Sequence, residues 1–402
     1  MAKVSILMPA CNVEAFLREC MDSVINQTLR DIEIICVDDG SKDSTGDILD
    51  EYAKKDERVK VIHKVNTGYG NSMNVGLDTA TGEYIGIIET DDFAELDMFE
   101  KLYDVAKKNN ADVVKSNYFT YVSKPEPKST VLEVLKEFEN YDKVFKPLDF
   151  QQIYKVRPCI WTGLYRREML VENKVRFNET PGASYQDTGF AFKVWTSAER
   201  AVLVKDAYLH YRIDNANSSV KSTSKIFCLC DEYESMDDFL KIHPEKLEKV
   251  RNIKAYLKYE SYRWNYDRLS LEFKYHFLMR MKSELMLERE EGNLDESYFK
   301  EFQWKRLNRI LDDTDSFFSE SCKKELGGVK TVQDLIEDHK RIKAKLKKTQ
   351  GDVKKITGEK RQLEAKLRKA EDRCAELENS TSYKVGRKLT YIPGKIKRKI
   401  SR

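Results

Sequence analysis

The chain is predicted to be an α/β protein with a mainly parallel sheet, followed by a helical region and a coiled coil. Three observations carry this. Short apolar, β-branched runs alternate with amphipathic stretches from Lys3 to Ile88, the pattern of strands joined by helical crossovers. Two of these runs end abruptly in paired acids, Asp38-Asp39 and Asp91-Asp92. From Val332 onward, apolar residues recur every seven positions between charged flanks, which is the mark of a left-handed coiled coil.

In chain order, Lys3-Val-Ser-Ile-Leu-Met-Pro9 reads as a strand that stops at its proline. Asn12 is placed to cap a helix from about Val13 to Gln27, with Phe16, Leu17, Cys20, Val24 and Ile25 along one side. Ile32 to Val37 is a second strand, and Asp43 or Ser44 starts a helix covering Ile48 to Lys54. Val59 to His63 is a third strand. Gly68-Tyr-Gly70 opens the next helix through glycines that allow close backbone approach. Tyr84 to Ile88 is the fourth strand, a helix covers Lys101 to Lys108, and Asp112 to Ser116 is another strand. Residues Lys124 to Lys146 mix prolines and charges and read as an insertion near the acceptor side. A strand and helix follow over Trp161 to Leu170, then the stretch Asn178 to Phe190, followed by an amphipathic helix through about Trp195.

The totals bound what the chain does. At 402 residues, two or three folding units are expected. Charged residues make up 35%, so part of the chain should be all surface, while 71 basic against 68 acidic residues leave a net charge of only +3. No apolar run approaches the roughly 20 residues needed to span a bilayer, and the start lacks the build of a signal peptide. Eight cysteines are scattered, with only Cys228 and Cys230 close together, giving neither a zinc spacing nor a disulfide framework. A cytoplasmic chain with reduced thiols is expected. The glycines at Gly68 do not fit G-x-G-x-x-G, and no G-x-x-x-x-G-K-[ST] occurs, so dinucleotide and P-loop readings lose support.

The acids carry the chemistry. At the carboxyl edge of a parallel strand, Glu89, Asp91 and Asp92 face the crevice where open α/β sheets bind ligands. Carboxylates this close repel unless a cation lies between them, and hard oxygen ligands suit Mg²⁺ or Mn²⁺, ions that also bind substrate phosphates. A solvated acidic turn is the plain alternative for either pair alone. Two such pairs on successive strands fit a nucleotide, which needs one carboxylate at its base or ribose and another holding the metal on its diphosphate.

Val4-Ser-Ile-Leu-Met-Pro-Ala-Cys-Asn12, Ser23-Val-Ile-Asn-Gln-Thr28, Glu33-Ile-Ile-Cys-Val-Asp-Asp-Gly-Ser41 and Gly82-Glu-Tyr-Ile…Asp91-Asp92 resemble family-two glycosyltransferases of the GT-A fold, in the family's order and spacing. The resemblance implies that Asp39 contacts the uracil of a UDP-sugar, Asp91 its ribose or diphosphate, and Asp92 the metal directly, with Pro9 and Asn12 shaping the nucleotide pocket. Two positions depart from the family: Cys11 stands where an aromatic residue is usual, and Glu89 where Asp is usual. The family's Glu-Asp-x-x-Phe reads Gln186-Asp-Thr-Gly-Phe190 here. It implies that Asp187 is the base of an inverting transfer, taking the acceptor hydroxyl proton without a covalent intermediate; position alone would equally make Asp187 a helix cap. Tyr208 to Ser219 also resembles the family. It implies that Arg212 neutralises the leaving UDP and that His210 assists Glu89 and Asp92 at the metal or phosphate, although a lone strand histidine is more often a packed residue.

Beyond about Lys221 the composition turns to long helical patterns, with Tyr256, Tyr259, Tyr262, Trp264, Tyr266 and Phe273 packing between helices. The expected divisions are a GT-A domain over 1–221, a helical accessory domain over 222–330, a coiled coil over 331–380 and a basic tail over 381–402. Val332, Leu346, Val353 and Leu367 fall at one heptad position and Leu335, Ile342, Ile356 and Leu363 at the other, so a homo-oligomer is expected. The tail mixes Lys and Arg with Tyr, Leu and Ile and has no acids. It suits the anionic inner face of a membrane, and no nucleic-acid motif accompanies it. The overall expectation is a metal-dependent, inverting transferase moving a sugar from a nucleotide-sugar donor to a surface-polysaccharide or lipid-linked acceptor. The alternative is a weakly catalytic nucleotide-sugar-binding scaffold. A sugar nucleotidyltransferase shares the layout, but its amino-terminal signature is missing.

Overall fold

Four parallel strands set the geometry: β1 (Val4–Ala10), β2 (Ile32–Asp38), β3 (Val59–His63) and β4 (Tyr84–Ile87) lie in the order β3-β2-β1-β4. Every residue of β1, β2 and β4 is buried, which explains their unbroken apolar runs, since central parallel strands are covered on both faces. The structure, a computed structural model, describes residues 2–215 and 226–322 and the isolated positions 337, 341 and 345. The chain divides into two units, Met1–Glu325 and Leu326–Arg402; the expected coiled coil and basic tail lie outside the described residues.

The other half of the sheet is mixed. After the two-residue β5 (Phe93–Ala94), β6 (Val113–Val122) forms a hairpin with β7 (Lys128–Leu132) and runs parallel to β9 (Ala201–Arg212). Between β4 and β6 lies β8 (Gly163–Arg166), antiparallel to both, and β5 pairs antiparallel with β9. The segment read as an insertion is thus, in part, the return strand of a hairpin.

Glu33 fastens the parallel half. It is buried in β2 and accepts from Ser5 Oγ (2.5 Å), Thr81 N (2.6 Å), Gly82 N (3.0 Å) and Lys60 Nζ (2.7 Å). Burial alone would raise its pKa, but these donors outweigh it and hold the carboxyl at about 2. One carboxylate therefore ties β1, β2 and β3 to the turn entering β4.

Two local expectations change. The first strand does not stop at its proline: β1 continues to Ala10, with Pro9 opposite Val37. Nor does Asn12 cap α1 (Glu14–Ile25), whose N-cap position is Val13; Asn12 is left-handed, at φ +54°. The free N–H groups of Val13 and Glu14 instead donate to Thr45 Oγ1 (2.9 Å) and Asp43 Oδ2 (3.2 Å), beside the start of α2 (Thr45–Lys55). In return, Ser44 N donates to Glu14 Oε2 (2.8 Å). Two helix starts about 30 residues apart cap each other, a partnership that local sequence signals cannot show.

The glycines before α3 (Tyr69–Thr79) serve a close approach. A Cβ on Gly70 would sit 1.9 Å from the Asn178 carbonyl oxygen, and Gly68, at φ +100°, abuts Gly182 and Thr180. Tyr69 N donates to Gly182 O (3.2 Å), while Asn74 donates to Phe177 O and accepts from Phe177 N (both 3.0 Å). The start of α3 thereby fixes the segment leading into α6 (Gln186–Ser197).

The remaining helices build outward from α6. It packs on α7 (Cys228–Lys241), α7 on α8 (Pro244–Arg268), α8 on α9 (Leu271–Glu290), and α9 on α10 (Glu301–Asp312) and α11 (Thr314–Ser321). These helices lie in the same unit as the sheet. Tyr259, Tyr262 and Tyr266 are core residues, whereas Trp264 is 42% exposed. Among the described residues no helix is long and apolar enough to cross a membrane.

Gly70→Ala is expected to lower the unfolding free energy by about 2–3 kcal/mol, because the new methyl meets a backbone carbonyl that cannot rotate away. Urea denaturation checks this, and an unchanged midpoint would contradict the close packing.

Candidate active site

The carboxyl ends of β1, β2 and β4 open into one cavity of about 570 Å³. Pro9 borders it from the end of β1 and Asn12 just after it, Asp39 after β2, and Glu89 and Asp91 after β4. Asp187, in the first turn of α6, closes the other side. Ligands of open α/β sheets bind at this edge because the strand ends deliver side chains there.

Acids at the end of β2 are compensated. Asp38 accepts from Ser41 N (3.0 Å) and meets His63 Nδ1 (2.9 Å). Asp39 accepts from Thr67 N and Gly68 N (both 2.9 Å) and from the Lys64 ammonium. Burial would raise both carboxyls, but these donors outweigh it and hold each below its ordinary value.

Acids at the end of β4 lack such compensation. Glu89 accepts from the Tyr69 hydroxyl (2.6 Å), yet burial, with Asp91 and Asp187 nearby, pushes it up to about 8. Asp91 accepts from Asn215 Nδ2 (2.8 Å) and faces the cavity. Asp92 turns the other way and does not border the cavity. It is 1% exposed, its Oδ1 accepts from Arg212 N (2.8 Å), and its Oδ2 has no hydrogen-bond partner. Burial, with Asp91 beside it, drives the Asp92 carboxyl well above its ordinary range.

Asp187 is likewise raised, to about 6, by burial, against the N–H of Thr188 (2.9 Å) and the positive charge of Arg157. A carboxylate tuned there is ionised at neutral pH yet basic enough to accept a proton. Its neighbour Gln186 is structural. The amide donates to Thr180 Oγ1 (2.9 Å) and Gly182 O (3.0 Å) while accepting from Ser184 N. A carboxylate has no proton for the first two bonds.

Arg212 and His210 do not border the cavity. The Arg212 guanidinium lies between the rings of Phe16 (4.8 Å) and Tyr121 (4.7 Å), donates to Asp91 O (3.0 Å) and pairs with Glu19. It braces the 89–92 turn from behind. His210 is stacked between Phe93 (4.4 Å) and Phe119 (4.5 Å), with Nε2 at Glu95 (2.8 Å) and Nδ1 at Ser129 (2.7 Å). Both nitrogens are occupied by β-sheet neighbours.

The aromatic wall was not anticipated. Tyr69, Trp161 and Tyr211 border the cavity, and the Trp161 and Tyr211 rings stack at 5.0 Å and 5°. Cys11, by contrast, leaves its rim without a ring. Trp161 and Tyr211 lie 50 residues apart on different elements, so only the sheet order brings them together.

A divalent cation fits these residues. Glu89 and Asp91 face one cavity with too few positive partners, and Mg²⁺ is ordinarily held by one or two carboxylates together with substrate phosphates. No three His, Cys, Asp or Glu side chains among the described residues form a metal cage of their own.

Gln186→Glu is expected to destabilise the protein by about 1–3 kcal/mol at pH 7, since a carboxylate would face the Gly182 carbonyl without a proton to donate, even if the Thr180 hydroxyl turns to donate to it. The deficit should shrink as the pH falls and the new acid protonates. Urea midpoints at pH 7 and pH 4.5 check this, and a deficit that grows on acidification would refute it.

Residues 5–173 match the family model described as glycosyl transferase family 2. The chain is 36% identical over 222 residues to the uncharacterized glycosyltransferase EpsJ of Bacillus subtilis, covering 54% of this chain and 62% of EpsJ. It is 32% identical over 260 residues to the poly(ribitol-phosphate) beta-glucosyltransferase of Bacillus spizizenii, covering 63% of this chain and 38% of the relative. The chain thus spans less than two thirds of these relatives' lengths. Residues 1–349 of S. aureus TarS, solved in complex with UDP-GlcNAc, superpose with a TM-score of 0.59 at 19% identity, covering 80% of this chain and 92% of that one. Residues 5–173 are thus similar to glycosyl transferase family 2, and the chain shares the fold of this neighbour.

Proposed function

We propose that this chain is an inverting glycosyltransferase that moves a sugar from a UDP-sugar to a cell-surface polysaccharide or lipid-linked glycan acceptor. The observation that carries the reading is the convergence of Asp39, Asp91 and Asp187, from three separate elements, on one cavity. The relatives add support, because one acts on poly(ribitol phosphate) by name and the TarS fold is known with UDP-GlcNAc.

In this reading Asp39, Pro9 and Asn12 frame the nucleotide, and Asp91 faces its ribose or diphosphate. Asp91 and Glu89, rather than the buried Asp92, would hold Mg²⁺ or Mn²⁺, which when bound offsets charge on the departing diphosphate. Asp92 and Arg212 position that turn, and His210 holds the neighbouring strands. The acceptor oxygen attacks the anomeric carbon from the face opposite the diphosphate while Asp187 takes its proton. The bond from sugar to diphosphate breaks, and UDP leaves with the electron pair. The heptads would assemble copies, and the basic tail would bring them to the inner membrane face.

UDP release from a panel of UDP-sugars, with Mn²⁺, Mg²⁺ or EDTA, tests the assignment. One donor is expected to turn over only with metal, and Asp91→Ala to abolish that turnover. Asp187→Asn should lower the rate about 100-fold or more. Binding of a donor with no turnover in any condition would favour the scaffold, and failure of every donor to bind would sink both readings.

The pH profile is a separate check. Only ionised Asp187 accepts a proton, so the rate should fall as the pH drops through about 6. The residual rate of Asp187→Asn should lack that limb. An identical acidic limb in the variant would move the base elsewhere.

A further inference from the structure

Asp187 and Tyr185 border a second cavity, of about 670 Å³, between residues 154–158, α6 and the helices α7 and α8. We propose that this cavity receives the acceptor, and that the acceptor is an anionic, phosphate-bearing glycan or polyol. The inference rests on the transferase reading above and adds where the acceptor lies and what chemistry recognises it.

Charge and shape carry the argument. Five ionisable groups of fixed sign line the cavity: Lys155, Arg157, Arg263, Glu260 and Asp187. Arg263 is paired with Glu260 (2.9 Å), and Glu260 also accepts from Gln303 Nε2 (2.9 Å). Lys155 and Arg157 have no carboxylate within ion-pair distance among the described residues. Lys155 Nζ lies over the Tyr256 ring (4.4 Å), and Arg157 Nη1 donates to the Tyr118 hydroxyl (3.1 Å). Both side chains belong to exposed residues, so a ligand can reach them. A guanidinium fork and a point-charge ammonium bordering one cavity suit a phosphate.

The rest of the lining suits a sugar or polyol. Trp264 borders this cavity, is 42% exposed and meets Tyr185 edge-on at 5.6 Å, with the Arg268 guanidinium over its ring at 4.9 Å, so an aromatic edge and a further cation stand beside the space a sugar would take. Tyr185 is held at φ +67°, immediately before α6, and its buried hydroxyl has no hydrogen-bond partner. A backbone conformation this unusual for tyrosine sets that ring between the two cavities. With a phosphate at Lys155 and Arg157, an adjacent hydroxyl faces Asp187. That hydroxyl oxygen forms the new bond to the donor's anomeric carbon, its proton passes to Asp187, and the nucleoside diphosphate leaves with the electrons of the broken bond.

Calorimetric titration of the full chain with three probes tests this. The probes are a lipid-free glycerol-phosphate oligomer, a lipid-diphosphate-linked sugar in detergent, and a neutral oligosaccharide of similar length. At least one phosphate-bearing probe is expected to bind, and which one does identifies the source of the phosphate. Lys155→Gln and Arg157→Gln should each weaken that binding by about tenfold with UDP affinity unchanged, which also shows that the variants fold. Equal binding of the neutral probe, undiminished binding by both variants, or binding of UDP but of neither phosphate probe would overturn the inference. Phosphate-probe binding that depends on Lys155 and Arg157 in a protein that binds no UDP-sugar would leave the anion site standing and sink the transferase reading.

Discussion

Crowding of carboxylates at one sheet edge is the constraint on which the rest depends. Parallel strands bring their carboxyl ends together, and here those ends bear Asp38, Asp39, Glu89, Asp91 and Asp92. The chain treats the two groups differently. Donors from the 63–68 segment hold the acids after β2 below their ordinary pKa, so that side is electrostatically complete. After β4 the donors are fewer, and Glu89 and Asp92 are both raised, with burial and Asp91 among the causes. Arg212, the nearest cation, offers Asp92 only its backbone N–H and turns its guanidinium to Asp91 O and Glu19. Poorly compensated carboxyl groups are therefore concentrated at the end of β4, with Asp187 across the cavity from them. It is there that a cation and a diphosphate would complete the site.

The segment 178–187 depends on a different kind of constraint. It must present Asp187 at a fixed distance from that wall although it follows an irregular stretch. Three devices hold it. Gly68 and Gly70 let α3 touch its backbone, Asn74 brackets Phe177, and Gln186 closes the turn on itself. Gly189 admits Glu232 of α7 so closely that a Cβ there would lie 2.3 Å from Glu232 Oε2. The helical region thus reaches the first turn of α6 through the Glu232 side chain, which packs against a glycine.

Much of the sheet was legible because its signals are local. Buried parallel strands read as apolar runs, and β3 agrees with the expected span at both ends, while β4 ends one residue short of it. Pro9, Asn12, Asp39, Glu89, Asp91 and Asp187 do border the cavity. What stayed hidden depends on distant partners. The mutual capping of α1 and α2 links residues 13–14 with 43–45. The inward turn of Asp92 follows from β9 lying behind it, and His210 is enclosed by Phe93 and Phe119, which neighbour it only across the sheet. A row of adjacent acids tells a reader that charge is concentrated. It does not tell which acid faces outward, because that is set by the turn between β4 and β5 and by its contact with β9.

The same logic bears on Asp187 as the wall between two cavities. An inverting displacement requires the attacking oxygen and the leaving diphosphate on opposite faces of one carbon, so the base belongs where two ligand spaces meet. A carboxylate at the bottom of a single pocket would be shielded by the donor itself. Here Asp187 borders the acid-rich cavity on one side and the cation-bearing cavity on the other. The two spaces carry opposite electrostatic demands, the first for a cation and the second for an anion. In the proposed arrangement a phosphate without a cation is repelled near Glu89 and Asp91, while Lys155 and Arg157 attract it, so the acceptor phosphate is kept out of the donor's cavity.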